Sequence, residues 1–159
     1  MRLFTFGHVR QLDAVAAGFL AKLVAVTPLL SGVRQVAFVD LDDTVRATYG
    51  YAKQGAGRGY TGVNGLNALL ATLSTPLSAS VIAATRLRRG AVDSACGAAR
   101  LLADALACTR RVGATGLVIV RADSAFYGYD IVAAARRAGV RFSLTARLTP
   151  AVTRGHHQH

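Results

Sequence analysis

The stretch Val36-Ala37-Phe38-Val39-Asp40-Leu41-Asp42-Asp43-Thr44 constrains this chain more than any other. Four apolar residues run straight into three carboxylates within four positions. Val and Phe favour a buried strand, and an unpaired carboxylate is costly to bury. The strand must therefore end where a metal ion, a bound cation or solvent can meet those acids. The design returns in Leu117-Val118-Ile119-Val120-Arg121-Ala122-Asp123-Ser124. Two strands that each deliver an Asp at the carboxyl end form the core of the reading.

The remaining acids are few. Against 19 basic residues stand 8 acidic ones, a net charge of +11, and every acid is Asp; the chain contains no Glu. Only Lys22 and Lys53 are lysines, so the positive charge is almost entirely Arg. Arg suits bidentate phosphate contacts, and a nucleic-acid partner fits such a balance. A GC-rich genome also encodes Arg, Ala and Gly freely, so charge alone does not name the partner. With 159 residues, 52% of them apolar, the chain fits one folded domain rather than a disordered one.

Cys96 and Cys108 have neither CxxC spacing nor a neighbouring His, and they read as small buried or half-buried thiols on one helix. A reducing cytoplasm suits them. No signal-peptide pattern is visible. The apolar stretch Ala14 to Leu30 is interrupted by Lys22 and Pro28 and is too short to span a bilayer, so no membrane role is expected.

Along the chain, Gln11 to Val26 has helical spacing, with Leu12, Val15, Ala16, Phe19, Leu23 and Val26 on one face. Asp13 complements the dipole at its start. After the first strand, Val45 to Lys53 alternates as a half-exposed strand and is expected to pair back onto it. Gln54 to Gly62 is Gly-rich but lacks P-loop order; it reads as a hairpin connection or, alternatively, a phosphate cradle. Leu66 to Ser74 and Ser80 to Arg86 read as one strand or two short ones, broken at Thr75-Pro76, with a basic turn at Leu87 to Gly90. A helix from Asp93 to about Val112 would bury Ala95, Ala98, Ala99, Leu102, Leu106 and Ala107. The strand Leu117–Val120, a helix Tyr129–Ala138 stopped by Gly139, and a last strand Val140–Ala146 follow. Strand–helix–strand units imply a parallel section of sheet, and the early hairpin makes the sheet mixed. The organisation expected is an N-terminal helical segment (1–35), an α/β domain (36–150) and a disordered His-rich tail (151–159).

The first motif matches two family patterns. Asp40-Leu41-Asp42-Asp43-Thr44 fits the DxDxT opening of haloacid-dehalogenase-type phosphatases, which would make Asp40 the nucleophile and Asp42 the acid/base. That family's later Lys has no counterpart after Lys53, and the acids Asp123 and Asp130 are spaced more widely than its motif. A broader resemblance covers roughly residues 2–150. Asp42-Asp43-Thr44, Tyr51, Lys53-Gln54-Gly55-Ala56, Gly59-Tyr60 and Gly65-Leu66-Asn67-Ala68-Leu69, with Val118 to Tyr127, resemble a bacterial insertion-sequence transposase with a DDE domain.

The transposase resemblance implies an RNase H-like mixed sheet flanked by helices, with the first Asp on its first strand and the second just after its fourth. It implies Asp42 and Asp123 as catalytic metal ligands for Mg²⁺ (or Mn²⁺). Strand transfer at a phosphodiester uses two such ions about 4 Å apart, and hard cations take carboxylate oxygens. Strand alternation puts Asp40 on the face of Asp42, where it is expected to be buried, and turns Asp43 away. Arg58, Tyr60, Arg121 and Tyr127 are the candidate nucleic-acid contacts. The partners implied are double-stranded DNA, as transposon ends, and a second copy in a homodimer, at the bacterial nucleoid. The family's third acid is a Glu on a later helix, and none exists here. The expectation is a truncated transposase, its sheet incomplete at the C-terminus and inactive alone. Without the third ligand, metal affinity suffers. A basic DNA-binding domain without catalysis is a further alternative.

Overall fold

The structure, a computed structural model, describes residues 6–49, 54–59 and 62–146. Its centre is β1 (Val36–Ala47), in which Ala37, Val39 and Leu41 are buried and the residues between them are not. Antiparallel to β1 runs β3 (Asn64–Thr75), which pairs in turn with the antiparallel β4 (Ser78–Arg89). On the other side of β1 lie β5 (Leu117–Ala122) and then β6 (Arg141–Leu144), both parallel to it. A short β2 (Gly57–Arg58) extends the β4 side of β3. The helix α2 (Ala98–Arg111) connects β4 to β5, and α3 (Tyr129–Arg137) connects β5 to β6. Three antiparallel strands followed by two parallel ones added through helices make a mixed α/β sheet, the layout implied by the RNase H-like resemblance.

Several expectations are corrected. The residues after Thr44 do not turn back on the first strand; β1 continues to Ala47 and its antiparallel partner is β3. Nothing between Thr44 and Ala47 favours a turn, so the ladder runs on. The break at Thr75-Pro76 is a tight turn between two strands, as in the two-strand alternative, but each strand runs to 12 residues rather than being short. Pro76 lacks an N–H and belongs there, and the Thr75 hydroxyl accepts from Leu77 N–H at 3.1 Å. The second helix begins at Ala98, not Asp93, after turns closed by Gly97 at φ +78°. Arg88 donates to the carbonyls of Asp93, Ser94 and Cys96 and competes for them with helical pairing, while Asp93 O still closes a turn with Cys96 N–H at 3.1 Å. Cys96 is therefore exposed and off the helix, while Cys108 is buried on it. Leu101 and Ala105 join Ala98, Leu102 and Leu106 in the core, whereas Ala95 and Ala107 stay exposed.

The first helix, α1 (Phe6–Val26), starts earlier than expected and turns the other way. Leu20 is buried, yet Leu12, Val15, Phe19 and Val26, on the face expected to pack, are exposed. The helix is apolar on more than one side, so periodicity does not fix its rotation. Asp13 does: its carboxylate accepts from Thr85 N–H at 2.7 Å and from the Thr85 hydroxyl at 2.9 Å. That bond occupies a donor on the outer strand β4 and blunts a sheet edge. It also turns Ala17, Leu20, Ala21 and Val24 toward the core. Among the described residues no helix is long and apolar enough to cross a membrane.

Candidate metal and phosphate site

The parallel pairing of β1 with β5 ends at Asp40↔Arg121 and Leu41↔Ala122. Asp42 and Asp123 directly follow the last pair, Asp42 still within β1 and Asp123 just past the end of β5 with an extended backbone. Both residues are exposed. Each carboxylate is oriented by one backbone donor: Asp42 Oδ1 accepts from Asp43 N–H at 2.8 Å, and Asp123 Oδ1 accepts from Ala125 N–H at 2.9 Å, capping the single 3-10 turn Ser124–Phe126. Each keeps its Oδ2 without a protein partner among the described residues. Two hard oxygen donors at the mouth of the sheet fit a divalent cation that retains several waters. They do not make a closed cage, because no group of three or more His, Cys, Asp or Glu able to hold a metal exists among the described residues.

One row back, Asp40 is not buried. Its two carboxylate oxygens accept from Nε (2.5 Å) and Nη2 (2.8 Å) of Arg121, a fork-to-fork pair in which both side chains are partly exposed. The guanidinium also lies 4.3 Å from the centre of the Phe38 ring, within cation–π range. The Asp40 hydrogen bonds, outweighing partial burial, push the Arg121 pKa up. Arg121 is thereby a fixed cation beside the two acids, with Nη1 unused and able to meet a phosphate oxygen.

Asp43 points to the other face of the sheet and enters a polar network that sequence reasoning missed. Its Oδ2 accepts from Asn67 Nδ2 (2.9 Å), Ser94 Oγ (2.8 Å) and Arg88 Nη2 (3.5 Å). Arg88 in turn donates to Asn67 Oδ1 from Nε at 3.0 Å. Burial lowers the pKa of Arg88, opposed by Asp43, Cys96 and Asp93. The signal in the sequence is parity: Arg88 stands at an inward position of an alternating strand, which the expected basic turn at Leu87 to Gly90 hides.

Of the other expected contacts, Arg58 is exposed on β2 and Tyr127 is exposed directly after the 3-10 turn. Tyr60 lies outside the described residues, as do Tyr51 and the His-rich tail. Neither the hollow of about 400 Å³ beside Arg89 nor that of about 530 Å³ between the end of α1 and Val112 includes Asp42 or Asp123. The acids stand on an open ledge, a shape that suits a large substrate better than an enclosed small molecule.

No protein-family model and no curated protein matches the chain. Among solved structures it is similar to the catalytic domain of Mos1 mariner transposase, with 12% identity and a TM-score of 0.48 over 99% of this chain and 74% of that one. It is also similar to the Mos1 strand transfer complex (13% identity, TM-score 0.41, 89% of this chain and 45% of that one). A third is the Mos1 mariner paired end complex with Mn (13% identity, TM-score 0.44, 99% and 50%). The chain spans about half the length of the Mos1 chains in those complexes. The fold described above rests on strand order and register, independently of these likenesses.

Proposed function

We propose that this chain is catalytic-domain material of a DDE-type transposase, of the bacterial insertion-sequence kind, acting on double-stranded DNA at transposon ends. The single observation that supports the proposal is the parallel ladder of β1 with β5, whose last pair, Leu41↔Ala122, directly precedes Asp42 and Asp123. In this reading Asp42 and Asp123 hold Mg²⁺ or Mn²⁺. Bound ions supply activation of the attacking oxygen and stabilisation of the leaving oxygen in phosphodiester transfer. The chain's own residues do the rest. Backbone N–H groups aim the two carboxylates, Arg121 offers its remaining edge to the phosphate, and Tyr127 and Arg58 contact the nucleic acid. The reading extends to a homodimer working at the nucleoid. It includes incomplete catalysis by these 159 residues, which contain no Glu to serve as third acid.

The phosphatase alternative is disfavoured by one contact: both oxygens of Asp40, its nucleophile, are engaged by Arg121. Titration of Mn²⁺ into the purified chain tests the proposal. Binding that is lost in Asp42→Asn and in Asp123→Asn but kept in Asp130→Asn is expected. Binding indifferent to Asp42 and Asp123, or phosphomonoester turnover abolished by Asp40→Asn, would overturn it.

A further inference from the structure

Beyond Asp42 along β1, the same face of the sheet carries Thr44 and Arg46. Arg46 pairs in register with Leu66, and Leu66 with Arg89, so two arginines flank one apolar residue across three strands. Two residues further along β3, Asn64 pairs with Arg58. Cross-strand partners and alternate residues share a face, so Arg46, Arg58 and Arg89 all rise from the face that bears Asp42. All three are exposed, and none of their side chains has a hydrogen bond or ion pair with the described residues. Level with Asn64, the buried hydroxyl of Thr48 has no hydrogen-bond partner among the described residues.

The backbone is specialised to bring these strands together. A Cβ on Gly65 would lie 2.2 Å from the Arg46 carbonyl oxygen; one on Gly90 would lie 2.1 Å from the Gly65 oxygen and 2.3 Å from that of Gly57. Glycine alone allows β1, β2, β3 and the end of β4 to converge here.

We propose that Arg46, Arg58 and Arg89 form a backbone-phosphate track that carries duplex DNA to the Asp42–Asp123 ledge. Arg46 stands four residues from Asp42, about 13 Å along a strand. Arg89 stands two strands from Arg46, about 10 Å away. Against a rise of 3.4 Å per base on one DNA strand, these spacings are about three to four base steps. Cations spread in this way suit a regular polyanion; a small anion needs donors that converge on one point. This inference rests on the reading of Asp42 and Asp123 as the place DNA must reach, and to Arg58 it adds Arg46 and Arg89, which that reading does not supply.

The test is anisotropy of a labelled duplex across 50 to 200 mM salt, using the whole chain. Each lost phosphate contact lowers the slope of log K against log salt by about 0.9. The Arg46→Ala/Arg58→Ala/Arg89→Ala variant is expected to lower it by about 2 to 3, with an unchanged urea midpoint. The Arg→Lys triple should retain the slope. A control that removes equal charge at other exposed sites, Arg34→Ala/Arg111→Ala/Arg137→Ala, should change it by less than about 1. Equal losses in the two alanine variants, no loss in the first, no duplex binding by the parent chain, or a tenfold preference for single-stranded DNA would each overturn the track. Asp42→Asn/Asp123→Asn separates the two readings. If that variant keeps the parent slope while the parent chain binds no Mn²⁺, the metal reading fails and the track stands.

Discussion

Arg88 makes the sharpest demand on this structure. It is 8% exposed, and its guanidinium serves Asn67, Asp43 and the carbonyls of Asp93, Ser94 and Cys96. Arg88→Met keeps an apolar stem of similar length and removes all of those donors. Asp43 would retain Asn67 and Ser94, so its charge would be undercompensated rather than orphaned. The carbonyls before α2 would lose their charged donor. Breaking a buried pair from one side costs about 3–5 kcal/mol. Because Asp43 keeps two partners and the contact to Arg88 is long at 3.5 Å, the lower half of that range applies, about 3–4 kcal/mol. That is a large share of the stability of an ordinary domain, about 5–15 kcal/mol. Urea unfolding with linear extrapolation measures it, the m-value serving as the check that only stability has changed. Asp43→Asn added to Arg88→Met should recover part of the loss, since it removes the undercompensated charge. Arg121→Met is the contrast: its pair with Asp40 is half-exposed, and such pairs contribute about 0–1 kcal/mol. A loss below about 1 kcal/mol for Arg88→Met, or one equal to that of Arg121→Met, would refute the assignment of Arg88 as the anchor beneath the site.

Two other predictions concern backbone and thiols. Gly90→Ala would force a Cβ against two carbonyl oxygens and should destabilise the fold by about 1–3 kcal/mol, whereas Gly18→Ala, in open space on α1, should stabilise it by about 0.5–1 kcal/mol; both are read from urea midpoints. Burial raises the pKa of Cys108, opposed by Arg111, so its thiolate is scarce in the folded chain. An aromatic disulfide reagent at pH 8 should therefore modify the exposed Cys96 quickly and Cys108 only on unfolding. Equal rates in the native protein would contradict the burial of α2.

The central strand was legible because its residues do two things at once. Val36 to Val39 favour a strand with one buried face, Ala37 and Val39 being the buried pair, and the acids that follow must be met by solvent, a cation or a partner. Their alternation alone puts Asp42 and Asp43 on opposite faces. What was hidden depended on contacts distant in the chain. The rotation of α1 follows from Asp13 meeting Thr85, a bond that helical periodicity cannot foretell. At the late start of α2, Arg88 competes for carbonyls that local propensity assigned to the helix. The pairing of Arg121 with Asp40 depends on β5 lying beside β1, so a cation that looked free for phosphate turned out to be half engaged. The Arg46–Arg89 row was invisible for the same reason: it exists only across three strands.

The proposed function requires Asp42 and Asp123 to share a divalent cation. A crystal of the chain grown with Mn²⁺ and measured at the manganese absorption edge tests it most directly. An anomalous peak is expected between the two carboxylates, about 2.0–2.3 Å from their free oxygens, with none at Asp43. An ordered manganese elsewhere, with Asp42 and Asp123 both bare, would contradict it.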